Sequence, residues 1–217
     1  MTEDIFIANG AKFYAKDDVI VRHVRSGQAF EPETTAWLFS TVSRGRAYVD
    51  VGHSTGWFAV PVAMMGVEVW GFEPLPNAYK RAKENMALNG VDYTLINKAV
   101  SDSSGEATFR YKARLPLTSG GTLEPKVHGG NDRMTVEVTT LDETLPADMD
   151  VGLIKVDVEG HEINVLRGAE KVIARCRPSM VLEVNSHDKL MELETWLNNH
   201  DYEWEIVDMR NMICVSK

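Results

Sequence analysis

Hydrophobic and polar residues along this 217-residue chain follow two alternating periodicities. Short apolar runs occur at residues 47–51, 67–72, 93–96 with 99–100, 152–156 and 180–184. Stretches with apolar residues at helical spacing occur at residues 55–65, 77–88, 161–173 and 187–199. Continuous apolarity is typical of strands buried on both faces of a parallel sheet, and alternation with helices is typical of crossover connections. We therefore predict an α/β fold with five parallel strands in a doubly wound sheet.

The N-terminal part of the chain carries a different pattern. Within residues 5–15, an Asn-Gly dipeptide separates two short apolar runs, which is the strongest short signal for a β-hairpin. Residues 19–24 are rich in β-branched residues and predict one more strand. Pro32 then begins a predicted helix over residues 33–42, because proline is favoured at the first helical position.

The C-terminal part ends in two further strand patterns. Residues 204–207 and 212–215 are joined by a short turn, so they predict an antiparallel hairpin at the edge of the sheet. The chain contains no internal repeat and no linker composition. We therefore expect one domain, with an N-terminal hairpin and helix extension over residues 1–45 and a core over residues 46–217.

A glycine-rich stretch over residues 112–134 lies between two alternating strand patterns, 107–111 and 135–139. It contains several basic residues among its glycines. Two interpretations stay open, namely a mobile lid over a substrate and a flexible insertion without a binding role.

Composition restricts the class of protein. The formal net charge of -9 argues against a nucleic-acid backbone as the main partner, since phosphate binding favours a basic surface. Cys176 and Cys214 have no metal-ligand or disulfide spacing and indicate buried thiols in a reducing compartment. No apolar run reaches the roughly 18 residues that a transmembrane helix needs. We expect a cytoplasmic protein that acts away from membranes, and we keep a homodimer open as its assembly.

Acidic residues follow the predicted parallel strands at the points where those strands end. They are Asp50, Glu73, Asp102, Asp157 and Glu183. In doubly wound sheets, ligands bind beyond the carboxyl ends of the strands, which all lie at one edge. The sequence therefore predicts a binding site at this edge.

The first strand leads into the turn DVGHSTG, in which Asp50 precedes Gly52 and Gly56. The glycine spacing is G-x-x-x-G and differs from the dinucleotide pattern G-x-G-x-x-G. A carboxylate at this position suits a ligand with an amine and repels a pyrophosphate. The alternative interpretation is a structural βα turn. Glu73, 21 residues after Gly52, has the spacing of a carboxylate that binds ribose hydroxyls, and the alternative for Glu73 is a favourable charge at a helix N-terminus.

The segment VDVEGHE places several ionisable side chains after the most apolar strand. Helix capping explains one of its carboxylates, but the concentration of Asp157, Glu159 and His161 favours a functional site. Glu183 on the neighbouring strand either faces Asp157 across a pocket or acts as a capping or paired acid.

An ordered set of motifs carries a family resemblance: DVGHSTGWF, FEPLPNAYKRAKENMALN, NKAVSD, VTTLDETL, LIKVDVEGHEINVLRGA and RPSMVLEV. Taken together, they resemble the FkbM-type S-adenosylmethionine-dependent methyltransferases. The resemblance implies a Rossmann-like, seven-stranded class I methyltransferase fold and S-adenosylmethionine as cofactor. It also implies O-methylation of a hydroxyl on a sugar or a small natural-product-like acceptor, so that the partner is a small molecule or a glycan.

The resemblance also implies roles for particular residues. The methionine part of the cofactor would be surrounded by the first turn, which comprises Asp50, Gly52, His53, Ser54, Thr55 and Gly56. Glu73, followed by Pro74, would bind the ribose, and Asn97, Ala99 and Asp102 would border the adenine. Asp157, Glu159 and His161 would form the acceptor side. The family's turn usually reads Ala-Asn where this chain has His53-Ser54, two polar residues that can still serve the methionine carboxylate.

His161 is the preferred general base, with Asp157 or Glu159 orienting it or the acceptor. The alternative is a divalent cation held by Asp157, Glu159 and Glu183, and we prefer the mechanism without metal. Two other functions remain as alternatives. An NAD-dependent oxidoreductase shares the ribose carboxylate but lacks the G-x-G-x-x-G turn, and a cofactor-binding module without catalysis would not need the acceptor side.

Overall fold

The computed structural model describes residues 4–16, 18–111, 121–124 and 132–217, and its central element is a seven-stranded sheet. From one edge to the other the strands are β11 (Tyr202–Val207), β12 (Asn211–Ser216), β10 (Ser179–Glu183), β9 (Val151–Val156), β3 (Ala47–Val51), β4 (Val69–Phe72) and β5 (Thr94–Ile96). The five strands from β10 to β5 are parallel, and β12 is antiparallel to both β10 and β11. The prediction of a doubly wound sheet with an antiparallel C-terminal edge is confirmed.

Helices cover both faces of this sheet. They are α1 (Val19–Arg25), α2 (Pro32–Thr41), α3 (Ala59–Met64), α4 (Pro76–Asn89), α5 (Leu141–Thr144), α6 (Glu162–Arg167), α7 (Glu170–Cys176) and α8 (His187–Asn199). One buried cluster packs α5 to α8 on one face, and a second packs α1 to α4 with the N-terminal hairpin on the other. Across the described ranges, no helix combines the length and the apolarity needed to cross a bilayer.

The N-terminal hairpin is confirmed, but the strand predicted over residues 19–24 is wrong. Strands β1 (Ile5–Ala8) and β2 (Ala11–Tyr14) pair antiparallel, and α1 follows them. Asp18 caps α1 by accepting a hydrogen bond from the Val21 amide at 3.0 Å, and Val21 is fully buried. A side-chain cap and burial against the core thus outweigh the weak strand preference of β-branched residues.

The single helix predicted over residues 161–173 is divided into α6 and α7. A Cβ atom on Gly168 would lie 2.0 Å from the Ser101 carbonyl oxygen, so the backbone at the break is packed directly against the neighbouring loop. Asp142 then caps α7 by accepting hydrogen bonds from the Lys171 and Val172 amides at 3.0 and 2.9 Å. A separate N-terminal cap makes the second helix begin anew.

A second, smaller sheet has three strands. It contains β6 (Ala99–Val100), β8 (Asp132–Thr139) and β7 (Gly105–Tyr111) in that order. Residues 99–100 therefore pair with β8 and do not continue β5 as the sequence pattern suggested. In the glycine-rich stretch between β7 and β8, residues 112–120 and 125–131 lie outside the described residues, and residues 121–124 return to β7 through the Arg110–Thr122 pair.

Candidate functional site

A cavity of about 240 Å³ lies at the carboxyl ends of the parallel strands. Nine of the residues singled out in the sequence line it: Gly52, Ser54, Glu73, Pro74, Ala99, Asp157, Glu159, His161 and Glu183. All except Ala99, which begins β6, come from the ends of β3, β4, β9 and β10, since parallel strands end at the same edge of the sheet. Three of the acidic strand ends, Glu73, Asp157 and Glu183, therefore face one common space.

The turn after β3 brings the backbone unusually close to β9. Gly52 has a φ of 83°, and a Cβ atom there would lie 1.8 Å from the Asp157 carbonyl oxygen. The Gly52 and His53 amides both donate to the Phe72 carbonyl, at 3.1 and 3.0 Å, which fastens the turn to the end of β4. Only glycine fits at position 52, and the cavity wall at this point is bare backbone.

We expect Gly52→Ala to destabilise the fold by about 2 kcal/mol or more, since it combines a left-handed φ with an overlap against backbone. Urea denaturation measures this loss. Gly45→Ala is the matched control, because Gly45 has a φ of 93° and nothing within 4 Å of the added Cβ. Equal losses in the free energy of unfolding of the two variants would show that the overlap with Asp157 does not contribute to the destabilisation.

Glu73 is a buried carboxylate held by backbone amides at the cavity wall. Its Oε2 accepts from the Ser54 amide at 2.8 Å, and its Oε1 accepts from the Leu75 amide at 2.8 Å. Burial raises the pKa of the Glu73 carboxyl to about 7, although both amides act to lower it. Each oxygen retains a lone pair after these bonds, so the carboxylate can accept from two neighbouring hydroxyls.

Ser54 also lines the cavity. Its φ of 54° is left-handed, and its Oγ is buried without a hydrogen-bond partner among the described residues. Buried hydroxyls are almost always hydrogen-bonded in folded proteins, so this one has capacity for a bound ligand.

Asp50 and Lys155 are buried ionisable residues outside the cavity lining. They are register partners on β3 and β9, and both are almost fully buried. The Lys155 Nζ donates to Asp157 Oδ2 at 2.8 Å and lies 5.2 Å from the centre of the Phe58 ring. Burial acts against its charge, but Asp157, Glu31 and Asp50 raise the pKa of Lys155 above its usual value. These contacts favour the charged form of Lys155, which is the cationic partner of Asp157.

Asp157 and Glu183 behave as an unequal pair. Burial acts to raise the pKa of Asp157, but the Lys155 ammonium outweighs it and the pKa is lowered. Burial and the Asp157 and Glu159 charges raise the pKa of Glu183 to about 10. Arg210 lies 3.1 Å from Glu183 Oε1 but is 60% exposed, so solvent screens its charge. The two shifts thus favour the ionised form of Asp157 and the protonated form of Glu183.

The described residues contain no group of three or more His, Cys, Asp or Glu side chains placed to hold a metal ion.

His161 is hydrogen-bonded through both ring nitrogens. Its Nδ1 lies 2.7 Å from Glu124 Oε1, and its Nε2 lies 2.9 Å from Ser101 Oγ. Because a carboxylate only accepts, Nδ1 carries the hydrogen and Nε2 has the free lone pair. The carboxylate hydrogen-bonded to the His161 ring is thus Glu124, where the sequence predicted Asp157 or Glu159. The Lys189 Nζ lies 3.8 Å from the other Glu124 oxygen and holds it from α8.

Three residues of the first turn hold the turn in place and do not line the cavity. His53 Nε2 lies 2.7 Å from the Tyr93 hydroxyl, and burial lowers the pKa of this ring, which is therefore neutral. Thr55 Oγ1 donates to Asp18 Oδ2 at 2.8 Å and so ties the turn to α1. Gly56, with a φ of 87°, leaves room for the His53 ring. Asp50 is also outside the cavity lining.

Asn97 and Asp102 also lie outside the cavity lining. The Asn97 Nδ2 donates to the Glu73 carbonyl oxygen at 2.7 Å and supports the strand end that carries Glu73. Asp102 is exposed and accepts from Ser103 Oγ at 3.1 Å. Only Ala99 of the three residues assigned to the adenine region faces the cavity.

Sequence reasoning missed several residues of the site. A lone lysine in an otherwise apolar strand was the available signal for Lys155. Glu124 lies 37 positions before His161, in a glycine-rich stretch that gives no signal for the contact. Phe30 and Glu31 line the cavity from the N-terminal segment, which precedes the first of the predicted parallel strands.

Comparison with known proteins agrees with this geometry. Residues 50–204 match the protein family described as Methyltransferase FkbM domain. The hexuronic acid methyltransferase AglP of Haloferax volcanii is 31% identical over 121 residues, which cover 55% of this chain and 48% of that protein. The chain thus spans about half the length of this curated relative.

Two solved structures share the fold. Methyltransferase FkbM from Methylobacillus flagellatus KT has a TM-score of 0.57 at 16% identity, covering 90% of this chain and 52% of that chain. Magnesium protoporphyrin IX methyltransferase (ChlM) from Synechocystis PCC 6803, solved with bound SAM, has a TM-score of 0.55 at 12% identity, covering 92% of this chain and 85% of that chain. Because the family match covers well over half of the chain and contains the acidic strand ends, this protein belongs to the FkbM methyltransferase domain family.

Proposed function

We propose that this protein is an S-adenosylmethionine-dependent methyltransferase that methylates a hydroxyl of a sugar or of a small natural-product-like acceptor. The observation that carries the proposal is the Glu73 carboxylate, held by the Ser54 and Leu75 amides at the wall of the cavity. The family match over residues 50–204 supports the same conclusion.

The residues present fit the cofactor. Glu73 has one free acceptor position on each oxygen for the two ribose hydroxyls. Gly52 offers bare backbone, and the unpartnered Ser54 Oγ offers a donor and acceptor for the amino-acid part. Pro74 and Ala99 give apolar wall beyond Glu73, where an adenine would lie. When bound, S-adenosylmethionine supplies a methyl group on a sulfonium, which an acceptor oxygen can take without further activation.

The protein's own contribution is then to orient the acceptor and to receive its proton. Orientation of two bound reactants is worth about 7–11 kcal/mol of the barrier. His161 Nε2 is the proton acceptor, because Glu124 holds the hydrogen on Nδ1. The Ser101 hydroxyl, which now faces Nε2, has Asp102 Oδ1 at 3.3 Å as a second partner and can turn to it.

A sugar acceptor agrees with the name of one curated relative, the hexuronic acid methyltransferase AglP. The net charge of -9 favours a small or glycan acceptor over a nucleic acid. We further propose a cytoplasmic protein with a single domain over residues 1–217.

Isothermal calorimetry with S-adenosylhomocysteine tests the proposal directly. We expect saturable binding of S-adenosylhomocysteine and none of NADH under the same conditions. Tighter binding of NADH, or no binding of S-adenosylhomocysteine, would refute the proposal.

Cofactor affinity is expected to depend on pH through Glu73. Two ribose hydroxyls donate to the ionised carboxylate, and its pKa in the free protein is raised to about 7. The carboxylate is mostly protonated at pH 6 and mostly ionised at pH 8, so S-adenosylhomocysteine should bind roughly tenfold more weakly at pH 6 than at pH 8. Glu73→Gln should remove this dependence. An unchanged pH profile in that variant would assign the dependence to another group.

A further inference from the structure

One wall of the cavity comes from a segment that precedes the matched domain. Val19, Ile20, Phe30 and Glu31 line the cavity, and all precede residue 50, where the family match begins. The cofactor residues proposed above all lie within the matched range. The N-terminal segment therefore adds chemistry to the cavity beyond the cofactor half.

Glu31 has a backbone conformation that non-glycine residues rarely adopt. Its φ is 42° and its ψ is 62°, which costs about 1–2 kcal/mol for an L-residue with a side chain. Asp208, in the turn between β11 and β12, accepts from the Glu33 and Thr34 amides at 3.2 and 2.7 Å. Asp208 thus fixes the start of α2, and Glu31, the residue directly before this helix, lines the cavity. Strained residues held in this way are concentrated at functional sites.

The Glu31 carboxylate has unused hydrogen-bonding capacity. Its Oε2 is buried and has no partner among the described residues. The Asn211 amide lies close enough to lower the pKa of this carboxyl, although its Nδ2 has no partner in hydrogen-bond geometry among the described residues. Burial raises the pKa of Glu31, and the nearby charge of Lys155 opposes this. A ligand that donates a hydrogen bond would satisfy the buried oxygen.

Phe30 places an aromatic ring directly before this carboxylate. The ring packs edge-on against Trp57, with centroids 6.0 Å apart and an interplanar angle of 77°. Binding sites for small molecules combine such apolar surface with a few fixed polar groups. A sugar ring has an apolar face of C–H groups and an edge of hydroxyls, which matches an adjacent aromatic ring and carboxylate.

We propose that Phe30 and Glu31 recognise the acceptor, with Glu31 accepting a hydrogen bond from a hydroxyl of a neutral sugar whose apolar face lies on Phe30. This inference rests on the proposed function and specifies its substrate class. Glu31 and Asp157 both line the cavity, and a sugar carboxylate placed between these two acids would be repelled by them when they are ionised. Neutral sugars are therefore preferred over uronic acids at this wall.

The test titrates the protein with methyl glycosides of glucose, mannose, galactose, rhamnose and glucuronic acid, with and without saturating S-adenosylhomocysteine. Tryptophan fluorescence reports binding, because Trp57 contacts Phe30. We expect at least one neutral glycoside to bind roughly tenfold more tightly than the glucuronoside. Glu31→Gln should weaken that neutral glycoside roughly tenfold and leave S-adenosylhomocysteine affinity unchanged. Glu33→Gln, the same change on an exposed neighbour, should alter neither.

Three results would overturn the inference: no neutral glycoside binds, the glucuronoside binds most tightly, or Glu31→Gln weakens only S-adenosylhomocysteine. Failure of S-adenosylhomocysteine to bind the wild-type protein refutes the proposed function instead. In that case, glycoside titrations without S-adenosylhomocysteine still test whether Glu31 binds a sugar hydroxyl.

Discussion

Replacing Glu73 by alanine is expected to weaken S-adenosylhomocysteine binding by a factor of about 100 or more. Hydrogen bonds to a charged group contribute about 1.5–3 kcal/mol each, and the variant loses two ribose contacts. It also leaves the Ser54 and Leu75 amides without their acceptor, which loosens the turn that carries Ser54. Calorimetry measures the loss, and thermal melting checks that the protein is folded.

Glu106→Ala is the matched control, since Glu106 is an exposed glutamate on β7 outside the cavity lining. Glu73→Gln should bind at an intermediate level, because its amide oxygen retains one acceptor position. Wild-type affinity in Glu73→Ala would remove the observation on which the proposed function depends.

Replacing His161 by alanine is expected to lower the turnover number for methyl transfer by a factor of about 100 to 10,000, the usual contribution of a general base. The affinity for S-adenosylhomocysteine should stay within about twofold, because His161 acts on the acceptor side. Initial-rate measurements with the tightest-binding acceptor give the turnover number, and calorimetry gives the affinity for S-adenosylhomocysteine. A loss confined to cofactor affinity would show that the role assigned to His161 is wrong.

Glu124 supplies the internal control for this interpretation. Glu124→Ala removes the acceptor for His161 Nδ1–H and should reproduce part of the loss in turnover. Glu124→Gln keeps an oxygen that accepts from Nδ1 and should restore much of it. Equal defects in the two variants would indicate that the negative charge matters and that orientation of the ring does not.

Much of the architecture was predictable because buried strands are recognisable from their apolar residues. Strands β9 and β10 are buried on both faces and therefore apolar nearly throughout, and the strands of the C-terminal hairpin were recognised from their turn. The errors lie where local preference and tertiary contact disagree. α1 was predicted as a strand because nothing in residues 19–24 shows that Asp18 will be held by Thr55.

The sequence alone determined that acidic side chains from several strands meet at one edge, because parallel strands joined by helices all end on the same side. Only the tertiary structure decided which neighbouring side chains face the cavity. Ser54, which has a positive φ, lies at the cavity, while His53 packs against Gly71 and Tyr93. The contacts of Glu124 with His161 and of Glu31 with the cavity wall join distant parts of the chain. Such pairings depend on packing in three dimensions, which no local periodicity records.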